Sequence, residues 1–191
     1  MSQQRHLLRQ IEGNSLPILE LTKEVEELFD EEDLHYDDIR LLLKALLRND
    51  SIHCIRFEGD FLDCLHPLRR SELLQVVGSY LPSLRHLELG DSPILVADLC
   101  HVVAKSKSLR SLQLHDSILQ GTPQDFQTLE DCLKDHPAME TFEIHECTTA
   151  IPGTNLRRLT NARKRRSPTS VLQERSPAQL NRKRFPIAKA A

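Results

Sequence analysis

One pattern, apolar-x-x-apolar-x-apolar, recurs along this chain and restricts its fold more than any other feature. It reads Ile52-His53-Cys54-Ile55-Arg56-Phe57, Leu84-Arg85-His86-Leu87-Glu88-Leu89, Leu109-Arg110-Ser111-Leu112-Gln113-Leu114 and Met139-Glu140-Thr141-Phe142-Glu143-Ile144. A looser copy is Leu16-Pro17-Ile18-Leu19-Glu20-Leu21. Successive starts are 36, 32, 25 and 30 residues apart. The final three positions of each copy alternate apolar, polar, apolar, which is the period-2 mark of a half-buried strand. Turn residues and a helical pattern follow each strand. Asp91-Ser92-Pro93 leads into Leu95, Leu99, Val102 and Val103; Thr122 and Pro123, placed to cap a helix, lead into Phe126, Leu129, Cys132 and Leu133. Pro67-Leu68 leads into Leu73, Leu74, Val76 and Val77, and Asp37-Asp38 into Ile39, Leu42, Leu43 and Leu46. A single strand-loop-helix unit cannot bury its apolar faces, whereas stacked units can.

The chain has no Trp and only 4% aromatic residues, so its core must be built from Leu, Ile and Val. LRHLELGDS, LRSLQLHDS and METFEIHEC resemble the strand segment of leucine-rich repeats. Units of about 30 residues that contain helices resemble the ribonuclease-inhibitor-like class. The resemblance covers residues 15–149. At the segment's last position, usually Asn or Cys in the family, Cys147 matches, whereas Asp60, Ser92 and Ser117 depart from it with side chains of similar hydrogen-bonding chemistry. The chain departs also in the uneven spacing of the units. The fold class expected is α/β: a short leucine-rich-repeat solenoid of four or five strand-loop-helix units, with a parallel sheet on its concave face. An ordinary α/β domain would show the same alternation; the repeated register favours the solenoid. No GxGxxG or Walker-type loop follows any strand.

The resemblance implies that polar strand positions face the concave side. Equivalent positions of stacked strands then form rows about 4.8 Å apart. The third position gives Cys54, His86, Ser111 and Thr141, and the fifth gives Arg56, Glu88, Gln113 and Glu143. The seventh gives Glu58, Gly90, His115 and His145, and the eighth gives Gly59, Asp91, Asp116 and Glu146. The candidate partner-binding residues are Arg56, Glu58, His86, Glu88, Asp91, Gln113, His115, Asp116, Glu143 and His145.

Other chemistries find little in the sequence. His145-x-Cys147 and Cys64-x-His66 each bring two metal-ligand types close, without the CxxC or HxxxH spacing of structural zinc. No metal or cofactor is expected. No GxSxG or HExxH motif is present, so the chain reads as a non-enzyme. The five cysteines include no CxxC pair, and the first thirteen residues lack the apolar core of a secretory signal. No run approaches the ~18–20 apolar residues of a membrane span. These features lead us to expect an intracellular protein, nuclear or cytoplasmic, with reduced thiols.

The net charge of −3 hides an asymmetry. From Asn155 onward there are eleven Lys or Arg and one acid, Glu174; the preceding residues hold fourteen bases and 27 acids. A stretch near +10 thus follows a body near −13. We expect an N-terminal helical cap at 1–14 through Leu7, Leu8 and Ile11, a repeat domain at 15–152, and a basic disordered tail at 153–191 with a short helix at 155–166. Arg163-Lys164-Arg165-Arg166 and Arg182-Lys183-Arg184 resemble nuclear-import signals, which implies an importin as partner. Ser167 and Ser176 precede prolines beside basic residues and are candidate phosphorylation sites. Nucleic-acid contact through the tail would be driven by phosphate, since only Phe185 offers base stacking there. The tail's charge also suits folding back onto the acidic face.

The function expected is a non-enzymatic protein-interaction module that uses the concave face to bind a basic or mixed-charge protein. The alternatives are a nucleic-acid-associated nuclear protein acting through the tail, and the substrate-recognition subunit of an assembly such as a ubiquitin ligase. The last requires an adaptor-binding segment, and Leu16-Pro17 followed by a strand-like run matches one poorly.

Overall fold

The computed structural model describes residues 3–21, 36–149, 151 and 156–164. It is an α/β structure with parallel sheets. The order is α1 (Gln3–Glu12), β1 (Ile18–Leu21), α2 (Tyr36–Leu46), β2 (Cys54–Phe57), a 3-10 turn (Gly59–Phe61), α3 (Pro67–Tyr80), β3 (His86–Gly90), β4 (Pro93–Leu95), α4 (Val96–Lys105), β5 (Ser111–His115), β6 (Ile118–Gln120), α5 (Pro123–Asp135), β7 (Thr141–His145), β8 (Thr148–Thr149) and α6 (Leu156–Lys164).

Five strands form one parallel sheet in the order β1-β2-β3-β5-β7, which is the order of the chain. Helices lie between successive strands and pack on their neighbours, α2 on α3, α3 on α4, α4 on α5 and α5 on α6. The first, fourth and sixth positions of the repeated pattern build the core. Ile52, Leu84, Leu109 and Met139 are buried at the first, and Leu19, Ile55, Leu87, Leu112 and Phe142 at the fourth. Leu21, Phe57, Leu89 and Leu114 are buried at the sixth. Each row of one position stacks down the sheet, so the core is continuous from unit to unit.

The sequence reading carries each strand through a turn directly into a helix. The structure differs: β4, β6 and β8 follow β3, β5 and β7 and pair into a second parallel sheet. Leu95, expected on the apolar face of a helix, is 41% exposed at the end of β4, and Ile94 is buried in its place. Strands of two or three residues are too short for periodicity to register.

After β2, β3, β5 and β7 the chain turns through left-handed backbone. Asp91, Asp116 and Glu146 have φ of 48°, 47° and 53°, and Gly59 has φ of 61°. These are the eighth positions of their units. Asp and Gly tolerate this conformation better than most residues, so the backbone itself accounts for part of the residue choice in that row.

Buried polar groups tie units together. The Asn49 amide donates to Ile11 O at 2.6 Å, and its Oδ1 accepts from the Ser51 and Ile52 amides at 3.0 and 2.8 Å. His136 does the same three units on. Its Nε2 lies 2.8 Å from Ser106 O, and Nδ1 accepts from the Ala138 and Met139 amides at 3.2 and 2.8 Å. Those two donors fix Nδ1 as the unprotonated nitrogen and Nε2 as the donor. Arg70 is a buried guanidinium. Nε donates to Leu62 O at 2.8 Å, one terminal nitrogen donates to Pro93 O, and the other to Leu65 O at 3.3 Å.

Helix ends follow local rules. Thr122 and Asp125 form a reciprocal capping box at the start of α5, with Pro123 in its first turn. The donors of Thr122 hold the Asp125 carboxyl below its ordinary pKa. Gly78 allows α3 to approach α4, since a Cβ there would lie 2.8 Å from Val102 Cα. At the C-terminal end α6 packs against α5 and β7. Leu159 is buried beneath it, and Arg158 pairs with Glu130 at 2.8 Å. Among the described residues no helix is long and apolar enough to cross a membrane.

Candidate partner-binding face

The larger sheet turns its fourth and sixth positions toward the helices and its third and fifth positions away from them. Its burial alternates accordingly, exposed-buried-exposed-buried in β1 and half-buried-buried in β2. Strand pairing aligns the expected rows. Cys54, His86, Ser111 and Thr141 are consecutive partners, as are Arg56, Glu88, Gln113 and Glu143. Gly90, His115 and His145 continue the seventh row. Pairing of β1 with β2 adds Ile18 to the third row and Glu20 to the fifth. Glu20 was missed in the sequence, although its place in the looser first copy is the same as that of Arg56 in the next.

The fifth row is cross-linked in two stretches. Arg56 bridges two neighbours, with Glu20 at 2.6 Å and Glu88 at 3.2 Å. The Glu20 hydrogen bond raises the Arg56 pKa further above its already high value. Gln113 donates to Glu143 at 3.0 Å. The rings of His115 and His145 stack with centroids 4.9 Å apart and planes 7° from parallel. His115 Nε2 lies 3.2 Å from Glu88 Oε1 but off the line of a hydrogen bond, and this nitrogen is buried without another partner. His145 Nε2 lies 3.5 Å from Glu143. The polar groups of this row are therefore largely satisfied within the sheet.

The free charge is at the strand ends. Glu58, Asp91, Asp116 and Glu146 are exposed and enter no ion pair among the described residues. Counting the described residues at third to eighth positions, the face holds seven carboxylates (Glu20, Glu58, Glu88, Asp91, Asp116, Glu143, Glu146) and one guanidinium (Arg56), a net of six negative charges. Just before the strands lie Arg85 and Arg110, the latter 3.1 Å from Glu140. The face is thus polarised, more basic where the strands begin and acidic where they end.

A depression of about 380 Å³ opens on the β1–β5 part of the face, lined by Ile18, His53, Cys54, Arg56, His86, Glu88 and Gln113 among others. Ile18 is 43% exposed at its edge. Burial pushes the Cys54 thiol above its ordinary pKa, although Arg56 opposes this, so it is a poor nucleophile at neutral pH.

Other sequence candidates are dispersed. The Cys147 thiol donates to His145 O at 3.3 Å, and burial raises its pKa. Its His-x-Cys pair is occupied in closing a turn. Ser117 at the equivalent position donates to His115 O at 2.7 Å. Cys64 and His66 line a separate depression of about 400 Å³ with Ile39, Leu65, Leu68, Arg69 and Glu72. Among the described residues no group of three or more His, Cys, Asp or Glu is arranged to hold a metal ion. Arg163 and Lys164 fall in the last turn of α6. Arg165, Arg166, Arg182, Lys183, Arg184, Ser167 and Ser176 lie outside the described residues.

No model of a known protein family matches the chain, and a search of curated proteins finds no match.

Proposed function

We propose that the chain is a short leucine-rich-repeat solenoid that works as a non-enzymatic protein-binding module, with the open face of the larger sheet as its docking surface. The partner class is a basic or mixed-charge protein segment. One observation carries the reading: five parallel strands in chain order have one face that no described helix covers, and polar side chains stand on it in aligned rows. Extended concave faces of this kind serve as binding surfaces in stacked-repeat proteins. The internal cross-links of the fifth row support the reading, because they hold the face in one shape before a partner arrives. The unpaired carboxylates at the strand ends supply the attraction. Import into the nucleus through the tail belongs to the same proposal and rests on sequence alone.

Fluorescence anisotropy with labelled synthetic 15-residue peptides, basic, mixed and acidic, tests it on the full chain. Basic and mixed peptides bind, and acidic ones do not. Asp91→Asn with Asp116→Asn keeps the left-handed turns and removes two unpaired charges. At about 0.5–1 kcal/mol for each of the two rim charges, binding weakens roughly fivefold to thirtyfold. Equal binding of acidic and basic peptides, or no loss in the variant, would refute the reading.

A further inference from the structure

We infer that the acidic face is occupied by the chain's own segment Arg182-Lys183-Arg184-Phe185, so that outside partners must displace it. This deepens the reading of the face given above and rests on it. Three observations support this occupant. The first is charge: the described residues of the face carry six net negative charges, and the 27 residues after Lys164 carry seven basic side chains and one acid. The second is position. Packing of α6 against β7 starts this segment at one edge of the sheet. Five strands at about 4.8 Å spacing span roughly 19 Å. Arg182 is eighteen residues past Lys164 and reaches up to about 60 Å at ~3.3–3.6 Å per residue. Arg165 and Arg166 reach only about 7 Å from the helix end, so the second basic cluster, not the first, covers the middle of the sheet. The third is composition. The face offers unpaired Glu58, Asp91 and Asp116 beside a depression with Ile18 exposed at its edge. Arg182-Lys183-Arg184 supplies three cations, and Phe185, next in sequence, supplies one apolar ring for the depression.

Tethering makes even weak pairing effective. A linked segment acts at an effective concentration on the order of millimolar. Against an intrinsic dissociation constant of about 0.1 mM, it weakens competing ligands roughly tenfold. Such pairing is lost as salt shortens the Debye length from about 30 Å at 0.01 M to about 8 Å at 0.15 M.

The test compares the full chain with a full-length variant carrying Arg182→Gln, Lys183→Gln, Arg184→Gln and Phe185→Ser. Backbone amide shifts of Gly90, Asp91, His115 and Asp116 are followed as salt rises from 20 to 500 mM. At low salt the two proteins differ at these amides, and the difference closes at high salt. A second variant, Asp91→Asn with Asp116→Asn, abolishes the low-salt difference when combined with the tail changes. Superimposed spectra at 20 mM overturn the inference. A difference that grows with protein concentration also overturns it, in favour of the segment from a second copy. The shift measurement uses no outside ligand, so its failure leaves the peptide-binding reading standing. If peptide binding fails while the shifts appear, the face is an internal docking site alone. Where both hold, the tail variant binds the basic peptide about tenfold tighter than the unaltered chain.

Discussion

Replacing Arg70 by Met should cost about 3 kcal/mol of stability. The side chain is 9% exposed and runs between the turn after β2 and the start of the second sheet. It donates to Leu62 O at 2.8 Å, to Leu65 O at 3.3 Å and to Pro93 O, with longer contacts of 3.5 Å to Asp63 O and Oδ1. Met keeps the aliphatic stem and removes every donor. Leu62 O retains the Leu65 amide at 3.3 Å, so its loss is partial. Each charge-assisted bond to a carbonyl contributes about 1.5–3 kcal/mol, and a buried acceptor left bare costs about 1–3 kcal/mol. Three such bonds sum to several kcal/mol, but removing the guanidinium also relieves its own desolvation, several kcal/mol in the other direction. The balance, about 3 kcal/mol, corresponds to roughly 6–12 °C in Tm for a chain of this size. Urea denaturation followed by far-UV circular dichroism measures it, with an unchanged m-value. Hydrogen exchange supplies the local signature: Ile118 and Leu119 of β6, paired with β4, lose protection first. Arg70→Lys keeps the charge without the planar fork and lies between the two. A loss under 1 kcal/mol, or a variant of equal stability, would show that the buried guanidinium is not what joins the turn to the second sheet.

Three further outcomes follow from the packing and the titrating groups. Gly78→Ala, which gains about 1 kcal/mol in an ordinary helix interior, instead loses about 1–3 kcal/mol by overpacking against Val102 Cα, 2.8 Å from the added carbon; thermal unfolding gives the sign. Burial pushes the Cys100 thiol from its ordinary 9.0 up to about 12. At pH 8 its iodoacetamide reaction runs roughly a thousandfold below that of an unperturbed thiol, and exposed Cys64 reacts first; peptide mass mapping reads the order. Because its folded pKa is raised, this thiol's contribution to stability is complete below 9.0 and is lost as pH rises through about 12. Thr122→Ala removes the cap of α5 and costs about 1 kcal/mol. Asp125 has a lowered pKa, so the capping contribution is present above the ordinary carboxylate range and fades as pH falls through the folded value; the urea midpoint of the Thr122 variant therefore depends less on pH between 5 and 3.

The strands of the larger sheet were legible because burial and sequence share one rule. Positions one, four and six are apolar in every copy, and those are the positions that stack into the core. Helix α5 was legible at its start because Thr122 and Pro123 are local signals. The second sheet was not, because Pro93–Leu95 and Ile118–Gln120 hold one buried residue each and leave no period to detect. The candidate face was legible as rows but not as a network. That Arg56 joins Glu20 to Glu88 depends on strand register, and the first copy, interrupted by Pro17, hid Glu20. Asn49 and His136 illustrate the same limit. The two side chains make the same three bonds, yet nothing in their types announces a shared role. Arg70 reads in sequence as one more surface base beside Arg69, and only the fold buries it.

Amide chemical-shift mapping of the full chain, titrated with the tightest-binding basic peptide, tests the docking face most directly. Displaced signals are expected along the third to eighth positions of the β2, β3, β5 and β7 copies, centred on Gly90, Asp91, His115 and Asp116. Displacements confined to α3, α4 and α5, with those four amides unmoved, would contradict that expectation.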